Sequence, residues 1–281
     1  MKIKNLITKF AASCLLFFLF FPRTANSAEP LTLWVHPYLP VTELIRKFTP
    51  LANYLSEKCG QAIQVKVSES YKSHIERVAE ERFDLAYLGP ASFVKIIDKS
   101  TEKILLARLQ VNGSPVYHGM IIARQDSLIM TLNDLMSKSF AFGDPNSTMS
   151  HLVPQSMLME AGVGIDKLKT AFLGSHNNVA LGVLGGYYDA GGVKEGVYYK
   201  YRERGLKLLA TSPPISEHLF VAGKKLPQST VDILRQSMFE LKDKAILSPI
   251  KESITGLMPV TVEDYDYLFS VMQELDKLKA E

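Results

Sequence analysis

Hydroxyl, imidazole and amide side chains are concentrated in the segment FGDPNSTMSHLVP, residues 142–154. The strand-like run SFAFGD leads into it, and the helix-like run QSMLMEAG follows it. The first backbone N–H groups of a helix lack intrahelical acceptors and lie at the positive end of the helix dipole, so they bind anions. Ser147, Thr148 and Ser150 would add hydroxyl groups there, and Met149 only its amide. Plain N-capping of the helix explains the same residue types.

Three further polar side chains follow predicted strands. Tyr71 lies at a helix start in SESYKSH, His176 precedes a helix in GSHNNVA, and Tyr117 lies in GSPVYHGM beside an extended segment. Singly, each has an ordinary structural explanation. Together they predict a pocket for an oxyanion, because a buried charge must be met by several donors.

The elements that must position these groups alternate between strands and helices. The chain predicts strands at 63–67, 84–89 and in SFAFGD, KTAFLG, YDAGGV and LKLLATS, with helices between them, including a short one at TLNDLMSK. This alternation indicates an α/β fold with mostly parallel sheets. Extended segments at IIAR and near ATSPPIS divide the chain into one lobe of residues 28–121 plus 213–281 and a second of residues 122–212, joined by two crossovers. Ligands of such folds bind where strand ends of both lobes face each other.

Residues 1–27 have the pattern of a signal peptide. Lys2, Lys4 and Lys9 precede the apolar run AASCLLFFLFF, and small residues at 25 and 27 suit cleavage after Ser27. The run is too short for a confident membrane span. Cys14 precedes most of the apolar run, which argues against lipid anchoring, so we expect a periplasmic protein.

Charge and cysteine content exclude several classes of protein. Without residues 1–27 the chain keeps 28 Lys and Arg against 29 Asp and Glu, and it has no clustered basic face for nucleic acid. Cys59 alone remains, so an internal disulfide is excluded and we expect a structural role for this residue.

Catalysis finds little support in the sequence. Ser147, His176 and Asp144 could be read as a hydrolase triad, but no G-x-S-x-G elbow is present. The histidines are scattered without H-E-x-x-H, and the glycine-rich runs lack the phosphate-loop and dinucleotide signatures. We expect no enzyme activity, no cofactor and no metal.

Several segments, in order, resemble those of periplasmic phosphonate/phosphite-type substrate-binding proteins of ABC importers. The segments are PLANYLSEKCG, DLAYLGPASFV, GSPVYHGMII, FGDPNSTMSHLVP, GSHNNVALGVLGGYYDAG and LLATSPPI. The resemblance implies a two-lobed type 2 periplasmic-binding-protein fold. It also implies that Ser147 and Thr148, with the backbone amides, hold a phosphonate-type head group, helped by His176, Tyr71 and Tyr117.

The sequence departs from this family at two places. Met149 replaces the third hydroxyl of the S-T-S loop, although Ser150 follows it. The carboxylate that recognises the amine of aminoalkyl phosphonates is replaced around Glu217 and His218, whose role stays open. We therefore expect a ligand without an amine, such as phosphite or a methylated phosphonate.

The expected function is capture of a phosphonate- or phosphite-like oxyanion by a monomer whose lobes close on it. The expected partner is the permease of an ABC transporter. A periplasmic sensor of phosphate or arsenic oxyanions that reports to a membrane histidine kinase is the alternative.

Overall fold

The computed structural model describes residues 29–98 and 103–280. The predicted signal peptide, residues 1–27, lies outside the described residues. Within them, no helix combines the length and the apolar composition that crossing a membrane would require.

The described chain alternates between strands and helices. Its strands are β1 (Leu31–Val35), β2 (Ile63–Val67), β3 (Leu85–Leu88), β4 (Ile104–Val111), β5 (Val116–Tyr117), β6 (Gly119–Arg124), β7 (Ser139–Phe142), β8 (Lys169–Phe172), β9 (Ala190–Lys194), β10 (Leu206–Thr211), β11 (Ile215–Ser216), β12 (Leu219–Ala222) and β13 (Ile254–Met258). Its α-helices are α1 (Val41–Cys59), α2 (Tyr71–Ala79), α3 (Pro90–Asp98), α4 (Val153–Glu160), α5 (His176–Leu184), α6 (Glu195–Tyr201), α7 (Gln228–Glu240), α8 (Lys244–Leu247) and α9 (Asp266–Ala280).

The strands form two main sheets. The first has the order β13-β4-β12-β3-β1-β2, and the second has the order β10-β6-β9-β7-β8. The short strands β5 and β11 pair antiparallel in the two segments that connect the sheets, with Ile215 opposite Tyr117. The predicted α/β architecture with helix-flanked mixed sheets is confirmed.

Both sheets are mixed, and in each of them most strands run in the same direction, as predicted. β1 pairs parallel with β2 and β3, whereas β12 pairs antiparallel with both β3 and β4, and β13 pairs antiparallel with β4. In the second sheet β7 is parallel to β8 and β9, and β6 is antiparallel to β9 and β10. The antiparallel pairs of β12 follow from the chain connection. After the second sheet the chain re-enters the first sheet as β12, between β3 and β4, in the opposite direction.

The prediction of a helix at TLNDLMSK is wrong, because only one 3-10 turn forms there, at Asn133–Leu135. Asp134 accepts hydrogen bonds from the N–H groups of Met130 and Thr131, and Ser137 has a φ of 64°, which ends the turn. β5, β11, β13 and α8 lie in segments for which the sequence pattern had indicated no element.

Helix α1 illustrates how the apolar spacing builds the core. Its buried side chains, Leu44, Phe48, Leu51 and Leu55, recur at helical spacing and pack on the first sheet. Gly60 ends the helix at a φ of 72°, a left-handed conformation that glycine adopts without strain.

A second hydrophobic cluster joins the helices of both sheets. Phe93 and Leu268 from the first part pack in one cluster with Met149 and Leu152 from the second. The chain thus encloses the space between the two sheets, where the candidate site lies.

Candidate functional site

A cavity of about 410 Å³ lies between the two sheets. Residues from both sheets line it. It contains every residue that the sequence singled out for ligand binding, namely Tyr71, Tyr117, Ser147, Thr148, Met149, Ser150 and His176. Their roles in binding stay predictions.

The segment after β7 enters its helix through a π-helical turn, Thr148–Leu152, that continues directly into α4. Pro154 explains this geometry, because it has no N–H to donate to the carbonyl of Ser150. That carbonyl instead accepts the N–H of Gly143 at 2.9 Å. The next bonds span five residues, from Leu152 N–H to Ser147 O at 3.1 Å and from the N–H of Val153 to the carbonyl of Thr148. Turns of this kind are frequent at functional sites.

The helix start offers free backbone donors. Within the described residues, the N–H groups of Thr148 and Met149 have no acceptor. Ser147 is the N-cap, and its Oγ accepts the N–H of Ser150 at 3.3 Å. Two amides therefore point their hydrogens into the region at the positive end of the helix dipole.

The hydroxyl groups of this turn have different partners. Thr148 Oγ1 accepts the N–H of Ala91 from α3 at 3.0 Å, which joins the two parts of the molecule across the cavity. Ser150 Oγ is buried and has no hydrogen-bond partner among the described residues. A buried hydroxyl without a hydrogen-bond partner is unfavourable, so the Ser150 hydroxyl is available to form a hydrogen bond with a bound molecule.

His176 is the first residue of α5, which Ser175 caps. Its Nδ1 accepts the backbone N–H of Lys194 at 3.1 Å, so in the neutral ring the hydrogen resides on Nε2. Nε2 lies 3.5 Å from Ser147 Oγ. Burial, together with the positive charge of Lys194 and the nearby His218, lowers the pKa of His176 well below 6.5. His176 thus presents a neutral N–H donor beside the helix start.

The two predicted tyrosines lie on the opposite wall. Tyr71 begins α2 after the capping box of Ser70, and burial followed by the charge of Asp144 raises its pKa above the ordinary value. Burial followed by Glu217 does the same to the pKa of Tyr117. Both phenols therefore stay protonated and can donate hydrogen bonds.

Three aromatic rings beyond the predicted binding residues also line the cavity. His36, Tyr87 and His218 stack nearly parallel, with ring centroids 5.4 to 5.6 Å apart. His36 directly follows β1, and His218 directly precedes β12. Their positions at strand ends were the available signal, but the adjacency of β1, β3 and β12 was not visible in the sequence.

The charged residues that line the cavity are Lys47, Asp144, Lys194, Glu217 and Lys251. Glu217 Oε1 accepts from Lys251 Nζ at 2.6 Å, and Oε2 lies 3.1 Å from His218 Nδ1. Burial alone would raise the pKa of Glu217, but these two partners lower it to about 2. Glu217, whose role is open from the sequence, is thus an ion-paired carboxylate.

Lys194 is a cavity residue that the sequence analysis missed. Its side chain is half-buried at the end of β9, and in the described part of the chain its ammonium has no ion pair or hydrogen bond. Burial followed by the charge of Lys251 lowers its pKa to about 8, while Glu217 opposes the shift.

Residues 29–98 and 103–280 contain no cluster of three histidine, cysteine or acidic side chains arranged to hold a metal ion. Cys59 lies at the end of α1, outside the cavity lining, with its Sγ 3.4 Å from the carbonyl of Gln61. Donors, aromatic rings and ammonium groups make up most of the polar lining.

The two sheets with their double connection form the fold of type 2 periplasmic binding proteins. The solved structure of PhnD1 from Prochlorococcus marinus (MIT 9301), in complex with methylphosphonate, matches with a TM-score of 0.78 at 21% identity, covering 88% of this chain and 98% of that chain. A binding protein component of an ABC phosphonate transporter (PA3383) from Pseudomonas aeruginosa matches with a TM-score of 0.69 at 20% identity, covering 89% and 97%.

Residues 33–265 match the family model described as "ABC transporter, phosphonate, periplasmic substrate-binding protein", and the chain belongs to this family. It is 27% identical over 199 residues to the phosphonates-binding periplasmic protein of Escherichia coli (strain K12), a match that covers 66% of this chain and 58% of that protein. The chain thus spans less than two thirds of the E. coli relative. The probable ABC transporter phosphite binding protein PhnD1 of P. marinus (strain MIT 9301) is 24% identical over 203 residues, 69% of this chain and 68% of that protein.

Proposed function

We propose that this protein is a periplasmic solute-binding protein that captures a phosphonate- or phosphite-like oxyanion and delivers it to the permease of an ABC importer. Family membership supports this class of function. The observation that carries the proposal is the group of neutral donors in the cavity lining: the unpaired amides of Thr148 and Met149 and the Nε2–H of His176.

The head group would bind first to the helix start after β7. Thr148, Met149 and His176 lie in the second part of the chain, and Tyr71 and Tyr117 in the first. Closure of the lobes then surrounds the anion with donors from both sides. The donors are held in place by the fold beforehand, so binding loses little side-chain freedom.

The cavity also supports the expectation that the ligand has no amine. Glu217 is the carboxylate nearest in sequence to the family's amine-binding position, and Lys251 and His218 already occupy both of its oxygens. An amine would have to compete with Lys251. This supports an amine-free ligand such as phosphite or methylphosphonate.

We also propose that the site binds without catalysis. In the neutral ring of His176, Nδ1 accepts the Lys194 N–H and Nε2 carries the hydrogen, so the ring cannot take a proton from Ser147. We propose a monomer without cofactor, metal or nucleic acid. The sensor alternative gains no specific support from the site.

A thermal-shift screen tests the function. Phosphate, phosphite, methylphosphonate, aminoethylphosphonate, arsenate, arsenite and sulfate should be compared, because a ligand that binds only the folded form raises its melting temperature. Phosphite or methylphosphonate should give the large shifts, and aminoethylphosphonate a smaller one. A shift with none of the phosphorus oxyanions would contradict the proposal.

A further inference from the structure

The cavity lining carries charged groups as well as neutral donors. The ammonium groups of Lys47, Lys194 and Lys251 line the cavity, against the carboxylates of Asp144 and Glu217. Lys251 is paired with Glu217 at 2.6 Å, and Lys47 donates to the carbonyl of Pro249 at 2.9 Å.

Among the described residues, Asp144 forms no ion pair with these ammonium groups. Its Oδ1 accepts the N–H of Asn146 at 2.7 Å in the turn before the helix start, and its charge acts on Tyr71. Lys194 therefore remains the lining cation without an acceptor among the described residues.

An unpaired ammonium inside a cavity is unfavourable, because burial removes its hydration and the neighbouring Lys251 repels it. The lowered pKa of Lys194 has these two causes. An anionic ligand group beside Lys194 would supply the missing partner.

The size of the cavity leaves room for such a group. A single small tetrahedral ion displaces about as much volume as two or three water molecules, at roughly 30 Å³ each. The cavity of about 410 Å³ can hold a longer molecule with its head group at the helix start.

We propose that the natural ligand is a phosphonate with a second acidic group on its tail, such as a phosphonocarboxylate, and that Lys194 binds this second group. Lys194 is then the residue that selects the tail, by favouring acids and rejecting amines. This inference rests on the proposed function, because the head group is taken to bind at Thr148 and Met149.

Isothermal titration calorimetry with three probes tests it: phosphonoacetate, methylphosphonate and aminoethylphosphonate. Wild-type protein should bind phosphonoacetate about ten- to hundredfold more tightly than methylphosphonate, the ratio expected for one charge-assisted hydrogen bond. Lys194→Gln should remove this preference, because it should lower the affinity for phosphonoacetate much more than the affinity for methylphosphonate. Lys194→Glu should reverse the order of phosphonoacetate and aminoethylphosphonate.

Lys225→Gln is the matched control, since Lys225 is exposed and lies outside the cavity lining. It should leave all three affinities unchanged. If a Lys194 variant folds poorly, the comparison of phosphonoacetate with methylphosphonate on the wild-type protein still tests the inference.

Two outcomes overturn the inference while leaving the proposed function intact. One is wild-type protein that binds methylphosphonate as tightly as phosphonoacetate. The other is a Lys194→Gln variant that weakens both probes equally, which would assign Lys194 to the head group. Failure of all three probes and of phosphite to bind would instead contradict the proposed function itself.

Discussion

At the scale of single residues, the donors around the cavity are held neutral by burial. The lowered pKa of His176 and the raised pKa values of Tyr71 and Tyr117 all favour uncharged rings that donate hydrogen bonds. Neutral donors suit an oxyanion that must be released again, because they bind it without a full ion pair.

The residue types at 147–150 and 176 could be predicted from the sequence, since hydroxyls and a histidine followed predicted strands. Lys194 was not readable, because only the pairing of β9 with β6 and β7 brings it to the cavity.

Substitution of Ser150 distinguishes a role of its hydroxyl in ligand binding from a role in stability. Its hydroxyl is buried without a partner among the described residues, so Ser150→Ala should leave the ligand-free protein as stable as wild type or more stable. If the hydroxyl donates to the anion, affinity for methylphosphonate should fall about tenfold or more. Thermal melting and calorimetry measure the two effects.

Ser156→Ala is the matched control for Ser150. Ser156 is also buried, and its Oγ donates to Glu160 at 2.9 Å in α4, outside the cavity lining. This variant should lose stability and keep its affinity. A Ser150→Ala variant that behaves in the same way would show that the Ser150 hydroxyl is structural.

His176→Ala should lower affinity for methylphosphonate about ten- to hundredfold, because the Nε2–H donor is lost. His176→Gln carries an amide N–H at a similar distance from the backbone and should recover part of the affinity. Calorimetry near pH 7.5 compares the two variants. Unchanged binding by His176→Ala would remove this ring from the site.

The buried histidines also set the pH dependence of stability. In the neutral ring, His74 Nε2–H donates to the Tyr87 carbonyl and Nδ1 accepts from the Ser68 hydroxyl. Burial, with a smaller effect of Arg77, lowers its pKa from 6.5 to about 4. The unfolded chain then binds more protons than the folded protein between pH 6.5 and 4, so stability falls as the pH falls through this window. His74 alone should cost about 2 kcal/mol at pH 5 relative to pH 8.

His36, His176 and His218 are shifted in the same direction, whereas the low pKa of Glu217 acts only below about pH 4.5. Urea unfolding at pH 8 and pH 5, with NMR titration of the histidine rings, measures the effect. Equal stability at the two pH values would contradict these shifts.

At the scale of elements, the apolar periodicity predicts most helices and strands, and β2 at 63–67 agrees with its predicted limits. The errors come from non-local pairing. β13 and the direction of β12 depend on neighbours far away in the chain, and the 3-10 turn at Asn133–Leu135 depends on local side-chain hydrogen bonds. The π-helical turn in FGDPNSTMSHLVP depends on Pro154, which lacks the N–H of a regular α-helical turn.

The position of this turn depends on the close approach of β9. A Cβ added at Gly192 would lie 2.6 Å from Pro154 Cγ, so Gly192→Ala must push the helix start away from the sheet. We expect a loss of about 1–3 kcal/mol of stability and weaker oxyanion binding, as for overpacking elsewhere. Chemical unfolding and calorimetry measure both.

Gly196→Ala provides the matched control four residues further along. An added Cβ there meets nothing within 4 Å, and Gly196 lies in α6. This variant should gain about 0.4–1 kcal/mol and bind normally. Normal binding and stability in Gly192→Ala would contradict the close contact.

At the scale of the whole molecule, contacts across the cavity bring the two parts together. Ala91 N–H donates to Thr148 Oγ1, and Lys95 Nζ donates to Asn146 Oδ1 at 2.9 Å. The division into 28–121 plus 213–281 and 122–212 stays a proposal. The pairing of β6, Gly119–Arg124, with β9 and β10 places the first crossover just before Gly119. The sequence alone could not locate this crossover more exactly, since β5 and β6 form one nearly continuous extended run.

A crystal structure of the protein with methylphosphonate would show whether the helix start after β7 binds the oxyanion. We expect phosphonate oxygens within about 2.7–3.2 Å of the backbone nitrogens of Thr148 and Met149 and of His176 Nε2, between the two sheets. Methylphosphonate bound elsewhere, with this helix start making no contact to it, would contradict the proposed site.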